Sequence, residues 1–428
     1  MKRILLTLLV GLFISNMAFA QNRPYDKTGL NVFETPKNDS AKYTGLKIKI
    51  GGAFTQSWQN LKDSHSFVPV AGVDPNKLVV LNPGFNTANA NMYFDIQLGD
   101  GMTLNLTEYL SAKHHNETWV KGGYIQFTKL PFLHSAFFDN LMKYTTLKVG
   151  HMEINYGDAH FRRSDNGNSI YNPFIENNIM DEFTTEIGFE VDVQHNGWLA
   201  VGGVTNGEIK GDELKATAYP GASDGKHHPA FLGKIGFDKQ LADNIRLRVT
   251  GSAYYTAGSV SNTLFGGDRG GSHYFYVIEK AATTAEAFSG RFNPGFTDKI
   301  GALMGNAFLK ASGFEWFTTV ESSWGRAKSE TVTRNATQFV TDAVYRFGST
   351  ENYWIGARYN TVKSGLLNGT ATYNVKLNRT AISAGWFVTK NIMAKAEYVN
   401  QNYDNFLPTD IRSNANFKGV IIEAVVGF

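Results

Sequence analysis

The stretch Met92-Tyr93-Phe94-Asp95-Ile96-Gln97-Leu98-Gly99-Asp100-Gly101 decides how this chain is read. Met92, Phe94, Ile96 and Leu98 fall on one side of an extended chain, and Tyr93, Asp95 and Gln97 fall on the other. The Gly-Asp-Gly break that follows is a tight hairpin turn between alternating strands. Leu46-Lys47-Ile48-Lys49-Ile50 repeats the pattern upstream, with lysines opposite the apolar side chains.

Carried outward, the alternation predicts strands at about 44–58, 90–98, 102–112, 119–129, 144–152, 183–195, 197–206, 229–238, 244–257, 299–311, 313–326, 336–348, 352–363, 379–389, 391–403 and 418–428. The connections after even strands are mostly short, for instance Gly99 to Gly101, Asn196-Gly197, Ser312-Gly313 and Lys390-Asn391. Those after odd strands are usually long: 59–89, 153–182, 207–228, 258–298 and 364–378. Up-and-down connectivity puts the two sets at opposite ends, which is the asymmetry of an outer-membrane barrel with short periplasmic turns and long outer loops. The apolar connection 130–143 breaks the rule, and reads either as an amphipathic periplasmic turn or as a slip in the count.

Composition agrees: 43 Gly, 31 Phe and 19 Tyr against 11 Pro suit many strands and turns. Lys2 and Arg3, the apolar run Ile4 to Ile14 and Ala18-Phe19-Ala20 predict a signal peptide over 1–20, with the mature chain beginning at Gln21. Residues 21–42 read as an irregular segment and 43–428 as the barrel. There is no Cys to staple the fold or carry a lipid anchor at the cleavage site. The net charge of +3 becomes 3 − 2 = +1 without Lys2 and Arg3, which argues against a nucleic-acid partner.

Facing directions make a second test. Val420, Ile422, Ala424, Val426 and Phe428 share a face suited to lipid, while Gly419, Glu423 and Gly427 face the lumen. Ile245, Leu247 and Val249 oppose Arg246, Arg248, Thr250 and Ser252 in the same way. Charge on the inner face implies a water-filled lumen, because a buried unpaired charge costs several kcal/mol. Trp58, Tyr353-Trp354 and Trp386-Phe387 suit interfacial girdles. Glu108 lies on the outward face, which a bulge or a shifted register would cure.

A signal peptide, about sixteen alternating strands and a terminal Phe428 together resemble the Gram-negative outer-membrane porins. Gly123-Tyr124-Ile125-Gln126-Phe127 followed by Leu147-Lys148-Val149-Gly150-His151-Met152 resembles, more narrowly, the strand pair before the constriction loop of the phosphate-selective porin O and P family. The resemblance implies an all-β transmembrane antiparallel barrel in the cell outer membrane, a homotrimer, and a third outer loop folded inward. Glu153, Asp158, His160, Arg162, Arg163 and Asp165 would then border a pore constriction, with Tyr156, Phe161 and Phe174 fixing the loop to the wall. The other reading of this stretch is a solvent-exposed surface loop.

On the lumen wall, Glu186, Glu190 and Asp192 sit together on the sixth strand, and Arg346, Arg358 and Arg379 lie roughly opposite, with Arg246 and Arg248 on the ninth. They read either as opposed rows setting a transverse field or as ordinary wall residues paired with their neighbours. His114-His115 and His227-His228 are weak metal candidates, and Gly266 to Gly271 lacks a phosphate-loop ending. No catalytic motif or cofactor signature occurs in the sequence. The sequence therefore predicts a channel for small hydrophilic solutes in contact with outer-membrane lipid. The rival is an occluded barrel that binds a partner through loops 59–89 and 258–298, as an adhesin or a subunit of a surface complex.

Overall fold

A computed structural model describes residues 23–35, 37, 43–68, 77–110, 118–213, 228–268, 270–281 and 289–428. The signal peptide, His114-His115, His227 and Arg269 lie outside the described residues. Sixteen strands form the wall: β1 Lys47–Ser64, β2 Asn89–Gly99, β3 Met102–Leu110, β4 Thr118–Phe127, β5 Thr145–Glu153, β6 Thr185–His195, β7 Trp198–Thr205 and β8 Ala230–Ala242. They continue as β9 Ile245–Thr256, β10 Lys299–Ala311, β11 Phe314–Arg326, β12 Arg334–Phe347, β13 Tyr353–Asn368, β14 Ala371–Phe387, β15 Ile392–Asp404 and β16 Asn416–Gly427.

Each strand pairs antiparallel with the next, and β1 closes the ring against β16 from Ala53↔Gly427 to Ser64↔Asn416. Closure removes every sheet edge, which is what lets strands cross a hydrocarbon layer. A two-residue strand, Gly84–Phe85, adds to β1 outside the ring order. Side chains then alternate inside out relative to a soluble protein. Ile48, Val249, Val320, Ile382 and Ile422 are exposed on the outer surface, while Arg248, Glu321, Arg379 and Glu423 are buried inside. No described helix is long and apolar enough to cross a membrane; the strands do so. The chain is a transmembrane barrel of the cell outer membrane.

Several details differ from the sequence reading. The expected outer loop 364–378 is instead mostly strand, because β13 and β14 pair as far as Asn368↔Ala371. Gly369-Thr370 makes the turn, with Gly369 at φ +62° in its first central position, where a two-residue hairpin favours Gly. The apolar connection 130–143 is a turn at the short end holding a 3₁₀ turn, Pro131–Leu133, and a helix, Ala136–Leu141, so the strand count stands. Of the expected girdle, Trp354 and Phe387 are buried inside, while Tyr353 and Trp386 stack outside with Phe347 and Tyr345 at centroid spacings of 5.7 to 6.3 Å.

A bulge does occur beside Glu108, between Thr107↔Gly122 and Glu108↔Val120, but the extra residue is Lys121 on β4. Glu108 stays opposite the outward Val120, and the bulge turns Lys121 inward instead. The lumen itself departs most from expectation. It is filled in large part by protein: residues 154–184 and much of 258–281 lie within it, buried against the wall, and the segment 23–35 joins them half-buried, with Asp26, Asn31 and Phe33 its buried side chains. Ile175, Ile179, Met180, Leu264 and Phe265 pack on Leu232, Ile300 and Met304 as an apolar core inside the ring.

Candidate functional site

The long connection after β5 leaves the wall at Ile154 and rejoins it at Thr184, and nearly all of it is buried. Its charges decide its path. Asp158 accepts hydrogen bonds from Arg248 (Nε 2.8 Å, Nη2 2.7 Å), from Lys234 Nζ at 3.1 Å and from Thr250 at 2.7 Å. Burial would raise the pKa of Asp158, but Lys234 and Arg248 hold it well below the usual carboxylate range. Arg162 donates to Glu315 at 3.4 Å and to Asn31, and lies over the rings of Phe308 and Phe317. Asp158 and Arg162 thus fasten the descending limb to β8 through β11.

The returning limb is held by backbone groups. Arg358 donates to Glu176 O at 2.9 Å, Arg379 to Asn177 O at 2.6 Å, and Lys395 to the carbonyls of Ser169, Asn172 and Phe174. A strand-borne cation reaching a loop carbonyl satisfies two buried groups at once, the condition for burying either. Gly167 at the loop tip lies against Ala90, where an added Cβ would come within 2.4 Å of the Ala90 Cα. Only a residue without a side chain lets the tip dock this closely.

Between the loop and the β2 to β6 wall a cavity of about 260 Å³ remains. A connected network borders it: Lys121 Nζ lies 2.6 Å from Asp165 and 3.2 Å from Glu153, and Glu153 bonds His160 at 2.7 Å. Arg163 reaches Asp165 at 3.1 Å and grips Asp181 at 2.6 Å. Burial pushes the His160 imidazole down in pKa although Glu153 pulls it up. Glu153, His160, Arg163 and Asp165 are therefore brought together along this cavity, whereas Asp158 and Arg162 are buried on the opposite side.

Of the wall residues, Asp192 lines the cavity and shares Lys148 with Glu190, at 3.0 and 2.7 Å. Glu186 is buried elsewhere, accepting from Tyr254 at 2.7 Å and from Thr205. Arg246 is bidentate to Asp238 at 2.7 Å, Arg346 pairs with Glu315 at 2.8 Å and Arg358 is bidentate to Asp342 at 2.7 Å. Arg379 donates to Gln401 at 2.6 Å. The two rows do not confront each other across open water; each group is hydrogen-bonded to a neighbour or to the loop. Among the described residues no group of three or more His, Asp or Glu is placed to hold a metal.

Three participants escaped sequence reasoning. Lys121 faces inward because of a bulge that shifts the phase of β4, and alternation alone gives it no fixed side. Tyr109, which donates to Asp165, had only its inward parity as a signal. Glu34 sits in the segment read as irregular, yet it is bonded to Lys234 and Arg248 in the lumen.

A closed sixteen-stranded antiparallel barrel with an apolar outer surface and a charged interior defines the class: this is the fold of the outer-membrane porins. Among solved structures, the chain is similar to the anion-selective porin from Comamonas acidovorans, at 8% identity and TM-score 0.53 over 90% of this chain and 100% of that one. It is also similar to the outer membrane channel DcaP of Acinetobacter baumannii, at 10% identity and TM-score 0.53 over 90% and 99%. OmpT of Vibrio cholerae gives 9% identity and TM-score 0.52 over the same shares. No protein-family model and no curated protein sequence matches the chain.

Proposed function

We propose that this barrel is a porin, a channel for passive diffusion of small hydrophilic solutes or ions, narrowed by residues 153–182. The observation that carries the reading is the cavity of about 260 Å³ lined by Lys121, Lys148, Glu153, Asp165 and Asp192. Both signs of charge line one polar space with an apolar core beside it, so a hydrated solute has one favourable side of the lumen to follow. The solved neighbours named above as porins and channels support the same role. The strands that resemble the phosphate-selective family, Gly123 to Phe127 and Leu147 to Met152, are adjacent in the wall and border this cavity. Assembly as a homotrimer belongs to the reading, and sedimentation in detergent tests it.

Planar-bilayer recording of the purified protein tests the channel. Deleting 157–178 removes the loop limb that closes the cavity, and single-channel conductance is expected to rise several-fold; an unchanged conductance would place the constriction elsewhere. The apolar core of Ile175, Ile179, Met180, Leu264 and Phe265 favours a second reading, an occluded barrel that serves as a surface-binding component. Silence of the intact protein in bilayers, together with co-purification of a stoichiometric partner, would select it.

A further inference from the structure

The segment 23–35 crosses the short-turn mouth of the barrel. Lys27 N donates to Lys390 O at 2.8 Å and Lys27 Nζ reaches Thr350 O at 2.6 Å, both in short turns on the β12 to β15 side. Asn31 then bonds Glu315 at 2.7 Å, and Gln194 on β6 donates to Thr35 O at 3.2 Å. The strap is tied to the loop above it as well, by Arg23 to Phe161 O at 2.8 Å and by Tyr171 to Pro24 O at 2.6 Å.

What grips the strap is mostly side chain. Lys27 N to Lys390 O is the backbone–backbone bond between strap and wall among the described residues, the others being internal turns. The ring closes through β1 and β16 without it. Releasing the strap therefore costs no sheet hydrogen bond, and local opening needs only that one backbone bond and the side-chain contacts to break.

The strongest of those contacts is a carboxylate in a preformed anion site. Glu34 Oε2 lies 2.7 Å from Arg248 Nη1, and Glu34 Oε1 lies 3.1 Å from Nη2 and 3.2 Å from Lys234 Nζ. The guanidinium plane stacks over Phe33 at 4.3 Å. Asp158 accepts from Nε and Nη2 of Arg248, Asp238 accepts from Nη1 at 3.1 Å, and both stay when the strap leaves. A guanidinium fixed by these carboxylates and backed by a lysine is held in place to donate charge-assisted hydrogen bonds to a further carboxylate.

We propose that Lys234 and Arg248 form a carboxylate-binding site that Glu34 occupies in the closed state. A carboxylate solute entering by the short-turn mouth displaces Glu34, and with it the strap that closes that mouth. The displacement needs no current to be observed, but its consequence for permeation rests on the channel reading. Lys234, Arg246 and Arg248 then face only the two carboxylates of Asp158 and Asp238, so the place Glu34 leaves keeps one uncompensated positive charge and prefers an anion to a neutral solute of equal size, which leaves the strap in place.

The test uses limited trypsin digestion of the purified full-length barrel, following cleavage at Lys27-Thr28 by intact mass, with bilayer recording in parallel. Thr28 is exposed at the mouth, but trypsin must take an extended stretch on both sides of the bond into its active site, and the 3₁₀ turn Lys27–Gly29 docked on Lys390 denies it that, so cleavage reports strap release. E34Q is expected to raise the cleavage rate by about tenfold or more, the weight of one lost charge-assisted grip, and E34D to restore most of the protection. Succinate at tens of millimolar should speed cleavage of the wild type, whereas mannitol, or chloride at equal ionic strength, should not; R248Q should abolish the succinate response. A cleavage rate indifferent to both Glu34 and succinate overturns the proposal. If cleavage responds while no variant conducts, the site stands and the channel reading fails. If currents flow but neither cleavage nor open probability responds, the channel stands and the proposed site fails.

Discussion

Replacing Asp158 by Asn isolates what holds the inward limb of the loop to the wall. The change keeps the size of the side chain and removes its charge from between Arg248 and Lys234, whose donors lie 2.7 to 3.1 Å away. Breaking a buried ion pair by neutralising one partner costs about 3 to 5 kcal/mol, most of it the burden of the cation left behind. Here Glu34 remains beside both cations, at 2.7 and 3.2 Å, so the lower end, about 3 kcal/mol, is expected. At 1.4 kcal/mol per decade, that is an opening equilibrium displaced by about 100-fold. Hydrogen exchange followed by mass spectrometry in lipid nanodiscs reads it directly. Peptides from the descending limb, 154–165, should lose about 100-fold in protection, while the returning limb held by Arg358, Arg379 and Lys395, and strands β14 and β15, should change far less. In an E34Q background the same substitution should cost more than the sum of the two, because Lys234 then has neither acid and Arg248 keeps only Asp238, at 3.1 Å. Loop protection that stays within about threefold of wild type would refute the claim that this pairing anchors the limb.

Three further expectations follow from named contacts. Gly167→Ala drives a Cβ to 2.4 Å from the Ala90 backbone and should cost about 1 to 3 kcal/mol, seen as a thermal unfolding midpoint lowered by several degrees; an unmoved midpoint would mean that the loop tip is not docked there. Phe33→Ala removes an edge contact with Phe308 at 5.5 Å and the ring beneath Arg248, and should speed trypsin cleavage at Lys27 by at least as much as E34Q; unchanged cleavage would limit the grip to charge. For Glu34, burial would raise the pKa, but Lys234 and Arg248 hold it down to about 2, against an ordinary value of 4.5. A carboxylate held low stabilises the folded state fully above its unfolded pKa and loses that contribution as pH falls through the folded one. Open probability should therefore be flat between pH 8 and 5 and rise only below about pH 4. A rise between pH 7 and 5 would assign the grip to another group.

How far the sequence could be read depended on whether a residue obeyed a local rule. Arg246, Arg248, Arg346, Arg358 and Arg379 are legible as inward because period-two alternation is a backbone constraint that each strand satisfies by itself. Lys121 was not legible, since one extra residue in β4 reverses the parity and nothing in Trp-Val-Lys-Gly-Gly announces which residue bulges. The turn at Gly369-Thr370 was legible in principle, but Leu366-Leu367 just before it blurred the alternation and hid the hairpin. How much protein lies in the lumen was not legible for a more instructive reason. An inward charge reads locally as a need for water or for a neighbour on the wall, whereas burial requires only that some partner be present. Here the partners are supplied by the chain from far away in sequence: Asp158 to Arg248, Glu34 to Lys234, and the loop carbonyls to Arg379 and Lys395. Such pairings join residues up to about two hundred positions apart, and no periodicity encodes them. A charged inner face therefore specifies that something polar fills a barrel. Whether that is solvent or protein depends on whether the loops carry complementary charge, and in this chain residues 153–182 and the strap both do.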